Sequence, residues 1–403
     1  MPKKSKISIA DLRGLTGIVT DATVNVTDLV EEMNKRIVHP PFLPSTPIQH
    51  LITGVSSIAY NSVRLTTKLI GGGLEKTLKL LNPLLGVDVP FEKKETTLAI
   101  LNGVVGDYLI KNNNPLAIPM QLRYQGELIS LDGEGINKAY PKISGKILLM
   151  VHGLCMNDLQ WDHKGHNHGE SLARELNLTP VYLHYNAGLH ISTNGQSLNT
   201  LLEELIRTWP APLEELVIIA HSMGGLVSRS AIHYGKREKK TWTKYLKKVV
   251  FLGSPHHGAP MERVGNFIDH LLEAIPYAKP FARLGKMRSA GITDLRFGNL
   301  IEEDRTGEDR FENHTDERMH IPLPEQVSCY TIAASIGKED SDLKVRIVGD
   351  GLVQLGSALG QHKDPNKNLN FKKANTSIAY ETNHMDLLNS REVYDKLKTW
   401  LLT

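Results

Sequence analysis

Five short apolar runs punctuate the chain beyond residue 140: KILLMV (146–151), PVYLHY (180–185), LVIIA (216–220), VVFL (249–252) and SCYTIAA (328–334). None is long enough for a buried helix, and their unbroken apolar character, rich in Val and Ile, is that of strands buried on both faces. Between them lie helical patterns such as ESLARELN, SLNTLLEELIRTW and GGLVSRSAIHYG. Buried strands alternating with helices predict an α/β domain, a mainly parallel sheet with helices on both faces. Ahead of the first run, MQLRYQGELISL alternates around Gly126 and reads as a hairpin.

Residues 1–118 have a different texture. Helical segments follow one another, and in one of them Leu51, Ile52, Val55, Ile58 and Val63 recur at three- and four-residue steps. Pro40, Pro41, Pro44 and Pro47 break these segments, as does Gly71–Gly73. This N-terminal helical extension is expected to pack on the domain formed by residues 119–403. Peripheral membrane contact through its amphipathic helices is the competing expectation. A second interruption, about 258–326, separates VVFL from SCYTIAA and is too long for a loop. It reads as an inserted cap over the carboxyl edge of the sheet, where Phe267 and Leu271 of VGNFIDHLLEAI are candidates to line a substrate pocket. The run KREKKTWTKYLKK (236–248) reads as a solvated helix face.

Composition excludes several classes. Lys plus Arg is 47 against 44 for Asp plus Glu, a net charge of +3 without a basic stripe, so nucleic acid is not an expected partner. The two cysteines, Cys155 and Cys329, cannot make a disulfide framework, and a reducing compartment is expected. The N-terminus begins basic, but Asp11 and Arg13 interrupt its apolar stretch, and no run approaches the ~18 residues that span a bilayer. A cytoplasmic protein is the expectation.

The chemistry concentrates where LVIIA runs into His221-Ser222-Met223-Gly224-Gly225. A strand passing through a tight turn into a helix lifts the serine oxygen clear of the sheet, and the crowded turn requires small flanking residues. Gly224 and Ala220 satisfy that requirement. A serine needs a base, and the base an orienting acid. Asp350, in Gly349-Asp350-Gly351, and His384, after the apparent strand SIAY, follow the serine in the order acid, then histidine. Asp294 and Asp386 are the alternative carboxylates. The backbone amides of Met223 and of Leu154, in the strand-end turn His152-Gly153-Leu154, are candidates for an oxyanion hole. His152 reads as structural.

From about residue 119 onward the chain resembles the α/β-hydrolase superfamily, in particular its bacterial lipase and carboxylesterase branch. The motifs that carry the resemblance are the His-Gly turn, Ala-His-Ser-Met-Gly-Gly, Asp350-Gly351-Leu352-Val353, Gly253-Ser254-Pro255-His256-His257-Gly258 and the final Asn383-His384. The resemblance implies Ser222 as nucleophile, Asp350 as acid, His384 as base, and a small-molecule or lipid ester as substrate. Two function classes compete with an ester hydrolase. One is an acyltransferase or thioesterase using the same triad; the other is a membrane- or partner-binding module with a vestigial hydrolase domain. No nucleotide or redox cofactor is expected, because no Gly-rich phosphate loop occurs. His163, His166 and His168, with the pair His256-His257, keep a structural calcium or zinc open.

Overall fold

The computed structural model describes residues 90–258, 289–304, 316–339 and 349–403. The helical segments expected before residue 90 lie outside these, as do Phe267 and Leu271 of the expected cap. The chain divides into two compact units, residues 1–97 with 114–116, and residues 98–113 with 117–403. The second unit contains the sheet. It also takes in Leu98–Asn113, most of the helix α1 (Phe91–Lys111), which the sequence pattern groups with the N-terminal extension. Hydrogen bonds show why: Asn186 Nδ2 donates to Gly106 O at 3.0 Å and Ser289 Oγ to Gly103 O at 2.6 Å. Ala290 N donates to Asp107 Oδ2 at 3.1 Å.

Eight strands form one sheet in the order β2-β1-β4-β3-β5-β6-β7-β8. The hairpin of β1 (Gln121–Tyr124) and β2 (Glu127–Leu128) closes one edge, β1 running antiparallel to β4 (Thr179–His184). From β4 through β3 (Lys146–Val151), β5 (Glu215–His221), β6 (Leu246–Leu252), β7 (Ser328–Ala334) and β8 (Thr376–Ala379) every pairing is parallel. All of β3 after Lys146 and all of β5 after Glu215 are buried, as the unbroken apolar runs require. Helix α2 (Gly133–Ala139) precedes β3, and α3 (His168–Leu176) links β3 to β4. Between β4 and β5 runs α4 (Ile191–Thr208), and α5 (Met223–Arg237) follows β5. Among the described residues no helix is long and apolar enough to cross a membrane.

The basic run 236–248 is not one helix face. Helix α5 stops at Arg237, Lys239 takes a left-handed φ of 56°, a single turn α6 (Trp242–Tyr245) follows, and β6 begins at Leu246. The reason is Trp242, fully buried, whose Nε1 donates to Asn199 Oδ1 of α4 at 2.8 Å. Burying an indole contributes more than ~2 kcal/mol, enough to end a helix made of solvated lysines.

Candidate active site

Strand order brings the expected motifs together. The chain leaves β3 for β4 on one side and returns to β5 on the other, so the carboxyl ends of β3 and β5 border the crevice where such sheets bind ligands. Ser222 follows β5 directly, with φ 54° and ψ −127°, a backbone conformation rare for any residue with a side chain. Its N–H donates to Leu252 O at 2.8 Å, and Gly225 N donates to Ser222 O at 3.0 Å. The strain is held by these bonds and by burial. Met223 opens α5, so its amide belongs to the first turn, whose N–H groups have no acceptor within the helix.

The end of β3 passes against this elbow. A Cβ on Gly153 would lie 2.9 Å from Ser222 Cβ, so only glycine lets the turn carrying the Leu154 amide come this close. Cys155 continues the turn at a left-handed φ of 58°. His152 is packed beneath it, stacked on Tyr185 at 4.4 Å, with Nδ1 donating to Gly153 O at 2.9 Å. Burial pushes its pKa down to about 3, so it is neutral.

His384 and Asp350 meet across β7 and β8. His384 Nδ1 lies 2.6 Å from Asp350 Oδ2, while Asp350 Oδ1 accepts from Leu352 N at 2.9 Å and Val353 N at 2.7 Å. The carboxylate beside Nδ1 makes that nitrogen the protonated one and leaves the lone pair on Nε2. Nε2 is buried and has no hydrogen-bond partner in the structure. Gly253, at the end of β6 with φ 56°, gives the imidazole its room: a Cβ there would sit 3.1 Å from His384 Cε1 and Nδ1. The alternative carboxylates are engaged elsewhere. Asp294 accepts from His190 Nδ1 and Ile191 N, and Asp386 from Lys164 and Asn383.

His221 escaped the sequence reading of the site. Its ring lies 4.6 Å from that of His384, and its Nε2 is 3.1 Å from His384 O, so it ties the His384 loop to the residue before Ser222. Burial first, and then the neighbouring His384 imidazole, hold its pKa well below the usual imidazole value, so it acts as a neutral donor. Replacement by Phe keeps the ring and removes the donor. His221→Phe is expected to lower kcat about tenfold with KM little changed, and His221→Gln, which restores a donor, to recover most of it. Equal loss in both variants would identify a packing role only.

Three histidines of the two sequence clusters are engaged in other ways. His166 Nε2 and His168 Nδ1 are 2.9 Å apart, and His168 Nε2 lies 3.0 Å from Leu387 O. His257 Nδ1 faces Arg318 Nη2 at 2.7 Å. Among the described residues no group of three or more His, Cys, Asp or Glu side chains could hold a metal ion. Cys155 and Cys329 are both buried, which pushes each thiol up to about 12.

The mainly parallel eight-stranded sheet, with a strained serine turn after β5 and an Asp–His pair on the loops beyond β7 and β8, has the α/β-hydrolase fold. Within that class, residues 142–319 match the family described as the PGAP1-like alpha/beta domain. Among solved structures, a lipase of Bacillus licheniformis, BlEst2 in its mature form, is similar at 19% identity and TM-score 0.42, over 71% of this chain and 98% of that one. The Pyrococcus furiosus esterase Pf2001 is similar at 14% identity and TM-score 0.37, over 64% and 81%. An esterase from Pyrobaculum calidifontis is similar at 10% and 0.40, over 76% and 90%. Likenesses this distant add nothing to the strand order, which itself defines the fold. No curated protein matches the sequence significantly.

Proposed function

We propose that this domain is a serine ester hydrolase that works through an acyl-enzyme on Ser222, with a small-molecule or lipid ester as substrate. The observation that carries the reading is the His384–Asp350 pair at 2.6 Å, its Nε2 unpartnered, on the sheet edge that presents the strained Ser222. In this reading His384 Nε2 takes the Ser222 proton as Oγ bonds to the ester carbonyl carbon. The carbonyl oxygen becomes an oxyanion held by the Leu154 and Met223 amides. Collapse breaks the carbon–oxygen bond to the alcohol, which leaves with the proton from His384. Water then repeats the sequence on the acyl-enzyme and releases the acid. Asp350 keeps the imidazole in the productive tautomer and stabilises its protonated form.

A series of p-nitrophenyl esters from acetyl to palmitoyl tests the reading on purified full-length protein. Nitrophenol release with one preferred acyl length, together with stoichiometric labelling of Ser222 by a fluorophosphonate, is the expected result. Absence of both overturns the proposal. Labelling with acyl transfer to an added alcohol or thiol in preference to water identifies the acyltransferase alternative.

A further inference from the structure

Along the outer half of α5, away from Ser222, a groove of about 570 Å3 runs between the helix and residues 321–326. Its helix wall presents Arg229, His233, Lys236 and Arg237, and its opposite wall includes Ile321, Pro322, Leu323 and Pro324. Among the described residues Glu325 is the one carboxylate lining it. At Arg229 and Ile321 the groove adjoins a narrow slot lined also by Asp304, Arg318, His320 and Lys367, with room for about one water-sized atom. Arg229 stands seven residues beyond Ser222, about 10 Å along the helix axis, so this is a second site.

Arg229 is the unusual group. It is only 5% exposed, yet its hydrogen bonds go to Ile321 O at 2.6 Å and, weakly, to His256 Nδ1 at 3.5 Å. Among the described residues no carboxylate pairs with it. The nearby carboxylates are committed: Asp304 accepts from the amides of Leu300, Ile301 and Met319, and Asp316 pairs with Arg318 and Lys367. A buried guanidinium with no carboxylate hydrogen-bonded to it is costly: burial first, and then the charge of Arg318, act against it, and the charge of Asp304 acts in its favour. An anion entering from the groove would remove that cost.

We propose that this groove binds a small organic anion, with its acid head against Arg229 and Lys236 and its apolar body over Ile232, Pro322 and Leu323. The recognised chemistry is an oxyanion on an apolar chain, and a carboxylate and a phosphate monoester both supply it. The acid product of the proposed ester hydrolysis has that chemistry, but binding does not depend on the catalytic reading and is measured without it.

Calorimetric titration of the full chain, in the Ser222→Ala background to prevent turnover, compares octanoate, octyl phosphate and octanol. Both anions are expected to bind and octanol not to. Lys236→Glu, at the open side of the groove, should weaken the anions at least about tenfold, and Arg229→Met should abolish their binding. A preference between octanoate and octyl phosphate identifies the head group. Octanol binding as well as the anions, or anion binding unaltered by Lys236→Glu in a folded protein, overturns the proposal. If Arg229→Met fails to fold, the Lys236 variant decides alone.

Discussion

Ser222→Ala is expected to reduce ester hydrolysis about 100,000-fold while leaving the fold intact. In the proposed mechanism the loss is large because His384 and Asp350 then have no nucleophile to act on. The fold should survive because the Ser222 side chain makes no capping bond to α5, and the backbone bonds of Ser222 N to Leu252 O and Gly225 N to Ser222 O do not involve Oγ. Alanine also keeps the same backbone strain, so a thermal midpoint within a few degrees of the parent is expected alongside the lost activity. Activity within tenfold of the parent would remove Ser222 from the mechanism.

Asp350→Asn has the second largest expected effect, about 10,000-fold in kcat with KM nearly unchanged. The structure says why the amide cannot substitute. Leu352 N and Val353 N both donate to Oδ1, so an asparagine must place its oxygen there and its NH2 at the Oδ2 position. That NH2 faces His384 Nδ1 as a donor, forces the proton onto Nε2, and leaves no base for the serine. Asp294→Asn and Asp386→Asn, whose carboxylates serve His190 and Lys164, should stay within about tenfold of the parent. A severe loss in either, with a mild one in Asp350→Asn, would reassign the acid.

The strands and the serine turn were legible because both are written locally: continuous apolar runs for buried parallel strands, and a turn too crowded for large residues after β5. KILLMV and SCYTIAA coincide with β3 and β7 residue for residue. What escaped depends on partners distant in sequence. Helix α1 looks like any amphipathic extension until Asn186 and Ser289 are seen bonded to its carbonyls, about 80 and 186 residues away. Trp242 hides among lysines because Asn199, across the contact of α4 with α6, gives its indole a reason to be buried. Arg229 reads as the polar face of an ordinary helix, and only the enclosure of its guanidinium shows that it is not. His221 belongs to the recognised motif, yet its role is set by the backbone of a loop 163 residues further on.

The two buried thiols have a practical consequence. The sequence contains no cysteine besides Cys155 and Cys329, and a thiol that ionises only near 12 presents almost no thiolate to a maleimide at neutral pH. To alkylating reagents the folded protein therefore behaves as if it had no cysteine. A single cysteine introduced at a solvent-facing position, Lys236 or Leu128 for instance, becomes the one attachment point for a fluorophore or spin label. Such a reporter can follow ligand entry or local unfolding without removing either native sulfur.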